Sequence, residues 1–172
     1  ATLLWSVQGV TAERGGLRLR AAPSSGALFA TELYLATRAV DGVPPGLWHA
    51  DALAGGLRPL RAGLPMEIDA MLPDGVDAAL LASAVFRRSG HKYGERSYRY
   101  VTADLGHALE NLRVAAVSIG LGVHFVTAFD EAAVAAALGL DQAEEGVLAL
   151  LWLQAPGAPP PVVGAAAAWR VP

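Results

Sequence analysis

The segment from Asp104 to Ile119 constrains the fold more than any other. Leu105, Ala108, Leu109, Leu112, Ala115, Ala116 and Ile119 recur at spacings of three and four residues. On a helix of 3.6 residues per turn they form one apolar stripe that has to be buried against other elements. The opposite side still holds Val114 and Val117, which a helix facing water does not need. The pattern therefore predicts a helix covered over most of its circumference and ended by Gly120-Leu121-Gly122.

Around this helix, apolar runs alternate with turns. Leu3 to Val7 reads as the end of an apolar helix stopped by Gly9, Gly15-Gly16 as a turn, and Arg18 to Gly26 as a polar loop. Leu33–Thr37 and Leu47–Ala50 read as short strands; Asp41-Gly42 and Pro44-Pro45-Gly46 punctuate the chain between them, predicting an antiparallel pair. Leu53 to Pro73 is too broken by Gly and Pro to assign. Ala78 to Phe86 is a continuous apolar run, as in a central strand, and the polar, aromatic segment Ser89 to Tyr100 breaks the pattern after it. Beyond the long helix, Val123–Phe129 reads as a strand, Asp130 as the N-cap of a short helix over Glu131–Leu138 closed by Gly139, and Val147–Leu153 as a last buried strand. The expectation is a single α+β domain over residues 1–172, with 156–172 as a Pro/Ala-rich C-terminal arm.

Composition removes several classes of function. Thirteen basic against sixteen acidic residues give a net charge of −3, without the basic excess of a nucleic-acid binder. With 53% hydrophobic and 17% charged residues the chain is not of the disordered kind. It has no cysteine, hence no disulfide, thiolate metal site or cysteine nucleophile. The longest apolar stretch, Val114 to Phe129, is interrupted by Ser118, Gly120, Gly122, His124 and Thr127, which argues against a membrane span. The N-terminus lacks the pattern of a signal peptide, and a cytoplasmic protein is expected.

Two segments carry chemistry. Pro23-Ser24-Ser25-Gly26, just after Arg20, places two hydroxyls and a glycine in one loop, which can present N–H groups and hydroxyls to an anion or a polar ring edge, or serve as an ordinary turn. The ten residues His91 to Tyr100 hold three tyrosines, three cations, a histidine and a glutamate. The adjacent Lys92 and Tyr93 can act as a general base and its hydrogen-bonding partner; the alternative is a solvated loop whose tyrosines pack on the core. His107 and Asn111 are one helical turn apart, but no second His stands at ligand spacing, and no metal site is expected. Gly120-Leu121-Gly122 follows a helix rather than opening one, so it is not a dinucleotide fingerprint; P-loop and nucleophile-elbow motifs are absent.

In their order along the chain, these segments resemble the nitroreductase superfamily of FMN proteins, and within it the SagB-type azoline dehydrogenases. The resemblance runs through Leu3-Leu4-Trp5, Arg20 to Leu28, Glu32-Leu33-Tyr34, Pro45 to His49, Val85 to Arg88, Lys92 to Tyr100, Gly106-His107, Asn111-Leu112, Gly120-Leu121-Gly122, Phe129-Asp130 and Leu138 to Asp141. It implies a mixed, mainly antiparallel sheet flanked by helices, and an intertwined homodimer with FMN at the subunit interface and the Asp104–Ile119 helix in the dimer core.

Roles follow by position. The resemblance places Pro23, Ser24, Ser25 and Gly26 along the flavin ring, the backbone N–H groups near Thr127 and Ala128 at the flavin N5 edge, and Arg20 and Arg170 on the polar tail and phosphate. Lys92-Tyr93 matches the catalytic pair of the azoline dehydrogenases, which oxidise thiazoline or oxazoline rings in modified peptides to azoles beside a cyclodehydratase partner. Two other readings stay open. One is an NAD(P)H-dependent nitro- or quinone reductase acting on small molecules. The other is a flavin-free dimerisation or binding domain: the chain begins after the family's Arg-Arg-Ser motif, Ala27-Leu28-Phe29-Ala30 replaces Ala-Leu-Tyr-Pro, and Thr127-Ala128-Phe129 replaces Gly-Gly-Phe.

Overall fold

A computed structural model describes residues 2–161. Its centre is a six-stranded sheet in the order β5-β4-β3-β6-β8-β7, formed by β3 (Thr31–Thr37), β4 (Gly46–Asp51), β5 (Gly56–Ala62), β6 (Ala78–Val85), β7 (Gly122–Val126) and β8 (Glu145–Gln154). Every neighbouring pair is antiparallel. The predicted α+β class, a mainly antiparallel sheet flanked by helices, is therefore what the chain adopts. A separate hairpin, β1 (Val10–Arg14) with β2 (Leu17–Arg20), turns through Gly15-Gly16, both at positive φ.

β6 explains the layering. All eight of its residues are buried, because helices cover both faces of the sheet, and such a strand reads as an unbroken apolar run. On one face Leu33, Leu80, Ala82 and Leu151 pack against Val7 of α1 (Thr2–Gln8) and against Leu105, Ala108, Leu109 and Leu112 of α4 (Ser97–Ser118). On the other, Ala79, Leu81, Leu150 and Trp152 pack against Ile68 of the one-turn α2 (Met66–Asp69) and Val134 and Ala135 of α5 (Glu131–Leu138). Asp130 caps α5 by accepting from the Ala133 N–H at 2.9 Å, and Gly139 closes it in the left-handed conformation at φ +71°, both as predicted.

Several expectations are corrected. Arg18–Arg20, read as the start of a polar loop, belong to β2: Leu17-Arg18-Leu19-Arg20 alternates apolar and polar, and it pairs with β1 across the Gly15-Gly16 turn. The unassigned stretch holds β5 and α2. Ser89 to Tyr100 is not a break: α3 (Arg87–Tyr93) and a one-turn 3-10 helix over Gly94–Arg96 lead directly into α4, which starts seven residues earlier than its apolar stripe indicated. β7 stops at Val126, short of the expected strand to Phe129. Ile119 is the helix C-cap and is 46% exposed, while Val114 and Val117 are 55% and 64% exposed; within one chain α4 is covered on the sheet side only. No helix among the described residues is long and apolar enough to cross a membrane.

Candidate active site

The start of β3 lies beside the end of β6: Thr31 pairs with Ala84, and the Val85 N–H donates to the Ala30 carbonyl at 2.9 Å. The loop entering β3, residues 21–30, and the helix leaving β6, α3, are thereby forced to the same end of the sheet. This brings the two chemistry-bearing segments together. A Cβ built on Gly26 would stand 2.6 Å from Tyr93 Oη and 2.9 Å from Lys92 Nζ, so both polar tips reach the loop where only glycine leaves room. The Tyr93 ring is held edge-on by Tyr100 at 4.8 Å between centroids, and Lys92 Nζ lies 5.4 Å from the Tyr93 centroid.

The loop itself is strained and clamped. Gly26, Ala27 and Phe29 have φ of +66°, +56° and +47°, and two of these are side-chain-bearing residues that disfavour the left-handed region. Asp104, on the first turns of α4, accepts from the Ser25 N–H at 2.7 Å and from the Ser25 hydroxyl at 3.0 Å. Ser24 Oγ accepts from the Phe29 N–H at 2.9 Å. Arg88 donates to the Phe29 carbonyl at 2.9 Å and pairs with Glu32 at 2.5 Å; Glu32 in turn meets His49 at 2.8 Å. Asn111, two turns beyond Asp104, donates to the Ala21 carbonyl at 3.4 Å.

Arg20 lies across the same loop, its guanidinium 4.4 Å from the Phe29 ring centroid and donating to Gln8 at 2.7 Å. Its Nε is buried without a partner, and burial holds the guanidinium below the usual arginine range, opposed by nearby Glu32. A half-buried cation with a spare donor is the kind of group that an anionic ligand satisfies. A hollow of about 600 Å³ opens beside Gln8, lined by Leu4, Trp5, Asp51 and Leu57; Lys92 and Tyr93 do not line it.

Of the residues singled out from sequence, the structure gathers Arg20, Ser24, Ser25, Gly26, Lys92 and Tyr93 at one end of the sheet; Pro23 is exposed in the same loop. Both donors of Ser25 are engaged by Asp104, so Ser25 shapes the loop, whereas the Ser24 hydroxyl keeps its proton free to donate. Thr127 and Ala128 are exposed in the bend after β7, which two strands, β6 and β8, separate from β3. Arg170 lies outside the described residues. Asp104 and Arg88 were not singled out from the sequence: their partners lie 79 and 59 positions away, and no local spacing reveals them; Tyr100 lay within the aromatic segment, but its pairing with Tyr93 had no separate signal. No cluster of metal ligands occurs among the described residues.

Comparison with known proteins gives the class. The model of the nitroreductase family matches residues 10–153, and the chain belongs to that family, whose members are oxidoreductases and typically bind FMN. A nitroreductase of Methanocaldococcus jannaschii is 34% identical over 138 residues, covering 74% of this chain and 66% of that protein. A crystal structure of a nitroreductase from Anabaena variabilis superposes with a TM-score of 0.82 at 30% identity, covering 88% of this chain and 33% of that one. The chain thus spans just under two-thirds of the first relative's length and one-third of the second's. The E. coli microcin synthetase McbBCD complex with truncated pro-MccB17 bound shares the fold, with a TM-score of 0.77 and 22% identity over 91% of this chain and 62% of that one. So does a nitroreductase from Desulfovibrio desulfuricans in complex with FMN, with a TM-score of 0.51 and 17% identity over 91% of this chain and 83% of that one.

Proposed function

We propose that the protein is an FMN-dependent oxidoreductase of the SagB type, oxidising thiazoline or oxazoline rings in a modified peptide to azoles. The observation that carries this reading is the convergence of Lys92 Nζ and Tyr93 Oη on Gly26. The two tips are therefore neighbours against the same loop, placed for a proton acceptor and its hydrogen-bonding partner to serve one substrate ring. The family-level fit to FMN is supported by Arg20, whose buried, unpartnered Nε and cationic head suit an anionic ligand. Ser24 and the Gly26 backbone would border the same group, with Thr127 and Ala128 contributing from outside this cluster; Arg170 is proposed for the phosphate on the resemblance alone. Bound there, FMN supplies the acceptor for the hydride equivalent leaving the substrate ring.

The chain's own residues do the rest. Lys92 Nζ takes the ring proton, and Tyr93 Oη orients either the lysine or the ring nitrogen, while the Asp104 and Arg88 clamps hold the loop that sets their distance from the substrate. That the E. coli microcin synthetase shares the fold and was solved with a peptide supports a peptide substrate and a cyclodehydratase partner. The exposed Val114, Val117 and Ile119 support a homodimer joined through α4, and we place the protein in the cytoplasm, working as one domain. A second reading, an NAD(P)H-dependent nitro- or quinone reductase, is favoured by the identity with the M. jannaschii nitroreductase.

The test is Lys92→Ala. Azole formation from an azoline peptide, followed by mass loss of two hydrogens, should fall by about 100-fold or more, in the range of general-base catalysis, with bound FMN and its visible spectrum unchanged. Wild-type turnover in the variant would remove Lys92 from the chemistry. Steady quinone reduction by NAD(P)H without azole formation would favour the second reading, and a protein that takes up no FMN would leave the flavin-free one.

A further inference from the structure

Charge is distributed unevenly in this chain. Residues 87–99 contain five of its thirteen basic residues and one of its sixteen acidic residues, so this short segment carries +4 while the remainder carries −7. Two of the five cations have structural duties: Arg87 pairs with Glu144 at 2.6 Å and Arg88 with Glu32. Lys92 belongs to the candidate site. Arg96 and Arg99 remain, both exposed and without an ion-pair partner among the described residues. The fold does not ask for them. They stand at the N-cap and in the first turn of α4, where cations are disfavoured by the helix macrodipole and where this helix has no acidic residue to offset them. Between them in sequence, Tyr98 is 58% exposed and stacks on Phe86 at 5.7 Å between centroids.

We infer that Arg96 and Arg99 form a docking surface for an acidic, extended segment of a peptide substrate, next to the site that transforms its ring. Residues three apart on a helix present their Cβ atoms about 5–6 Å apart, and carboxylates at alternate positions of an extended peptide recur about every 6.6 Å. The two spacings match, and each guanidinium can receive a carboxylate through paired N–H donors. A compact anion such as phosphate calls for donors converging on one point; here the two arginines are separate, exposed and one helical turn apart. The remaining negative charge of the chain repels an acidic peptide elsewhere and directs it to this strip. The inference rests on Lys92 and Tyr93 marking the reacting centre, and gives that site a preference for substrates with acidic residues flanking the azoline.

The test is binding, measured by fluorescence anisotropy on the whole chain with two labelled peptides: a short Gly/Ser peptide with Asp at alternate positions, and its Asn counterpart. At low salt the Asp peptide should bind about tenfold more tightly, as expected for two or three solvent-exposed charge pairs, and the preference should shrink as NaCl is raised. Arg96→Gln/Arg99→Gln should abolish the preference, and Arg96→Glu/Arg99→Glu should reverse it. Both pairs of substitutions lie on the surface, and an unchanged melting temperature will show that the fold is intact. Equal binding of the two peptides, binding of neither, or a preference that survives in the Gln variant would overturn the proposal. So would complete displacement of the Asp peptide by equimolar inorganic phosphate, which would assign the arginines to a phosphate group instead. Because binding is read without turnover, the two readings fail separately. A wild-type protein that prefers the Asp peptide but forms no azole sinks the reaction and keeps the docking surface; azole formation with no Asp preference does the reverse.

Discussion

Replacing Gly26 with alanine probes the loop from two sides at once. The first effect is on the backbone: at φ +66° an L-residue sits in the left-handed region, which disfavours it by about 1–2 kcal/mol. For a chain of this size that lowers the melting temperature by about 2–8 °C. The second effect is on the site. The new methyl group would lie 2.6 Å from Tyr93 Oη and 2.9 Å from Lys92 Nζ, inside normal contact for both, so each tip must retreat. Both are ends of flexible side chains, and their retreat adds little to the stability loss while displacing the proposed proton acceptor by up to about 1 Å, a shift that can slow a reaction by about 100-fold. The expected signature is therefore a mild thermal effect with a large drop in kcat, read by calorimetry and by azole formation on the same preparation. Adding Tyr93→Phe removes the closest clash and leaves Cζ at 3.4 Å, so the double variant should be less impaired than the product of the single ones. Ala27 and Phe29 already occupy positive φ in this loop, so backbone strain by itself is tolerated; the contacts distinguish position 26. If Gly26→Ala keeps the wild-type kcat, the lysine and tyrosine do not work against this loop and the site is wrongly built.

Asp104→Ala should lower stability by about 2 kcal/mol, the worth of its two bonds to Ser25; Asp104→Asn, which keeps one acceptor, should lose about half as much in chemical denaturation, and both should reduce kcat by loosening the loop. Tyr34 is buried in the core and donates to Glu145 at 2.6 Å, and burial first, then that bond, raise its phenol above its usual range. A folded-state pKa above the unfolded value of about 10 contributes stability that is complete below pH 10 and is lost as pH rises beyond it. Denaturant midpoints of the wild type should therefore fall more steeply above about pH 10 than those of Tyr34→Phe; parallel profiles would show that the phenol is not protected.

The sequence foretold elements whose burial is periodic and left unmarked those held by partners. β6 was legible because both its faces are covered, and α5 because Asp130 and Gly139 bracket it. No residue of β1 or β2 is buried, and the short alternation Leu17-Arg18-Leu19-Arg20 was masked by the polar residues that follow it. α3 was hidden by Gly90 and by a polar, aromatic composition that reads equally as loop. The same contrast holds at the site. Lys92-Tyr93 and the Ser-Ser-Gly loop could be suspected from their chemistry, but their meeting depends on Thr31 pairing with Ala84 across the sheet, and the anchors Asp104 and Arg88 are ordinary charged residues until the chain has folded.

The two margins of the sheet differ in what they permit. β5 is an outer strand exposed along most of its length, yet it carries Pro59, which has no N–H to offer, as well as Arg58 and Arg61, and its register slips against β4 between Leu47 and Trp48. A missing donor, repelling cations and a local kink each discourage an incoming strand. β7, at the opposite margin, is five residues long and has neither proline nor lysine nor arginine. Sheet growth, whether by a crowded second molecule or during misfolding at high concentration, is discouraged at the β5 side by the strand's own residues, whereas at the β7 side what stands nearby is the chain leaving β8, residues 155–160.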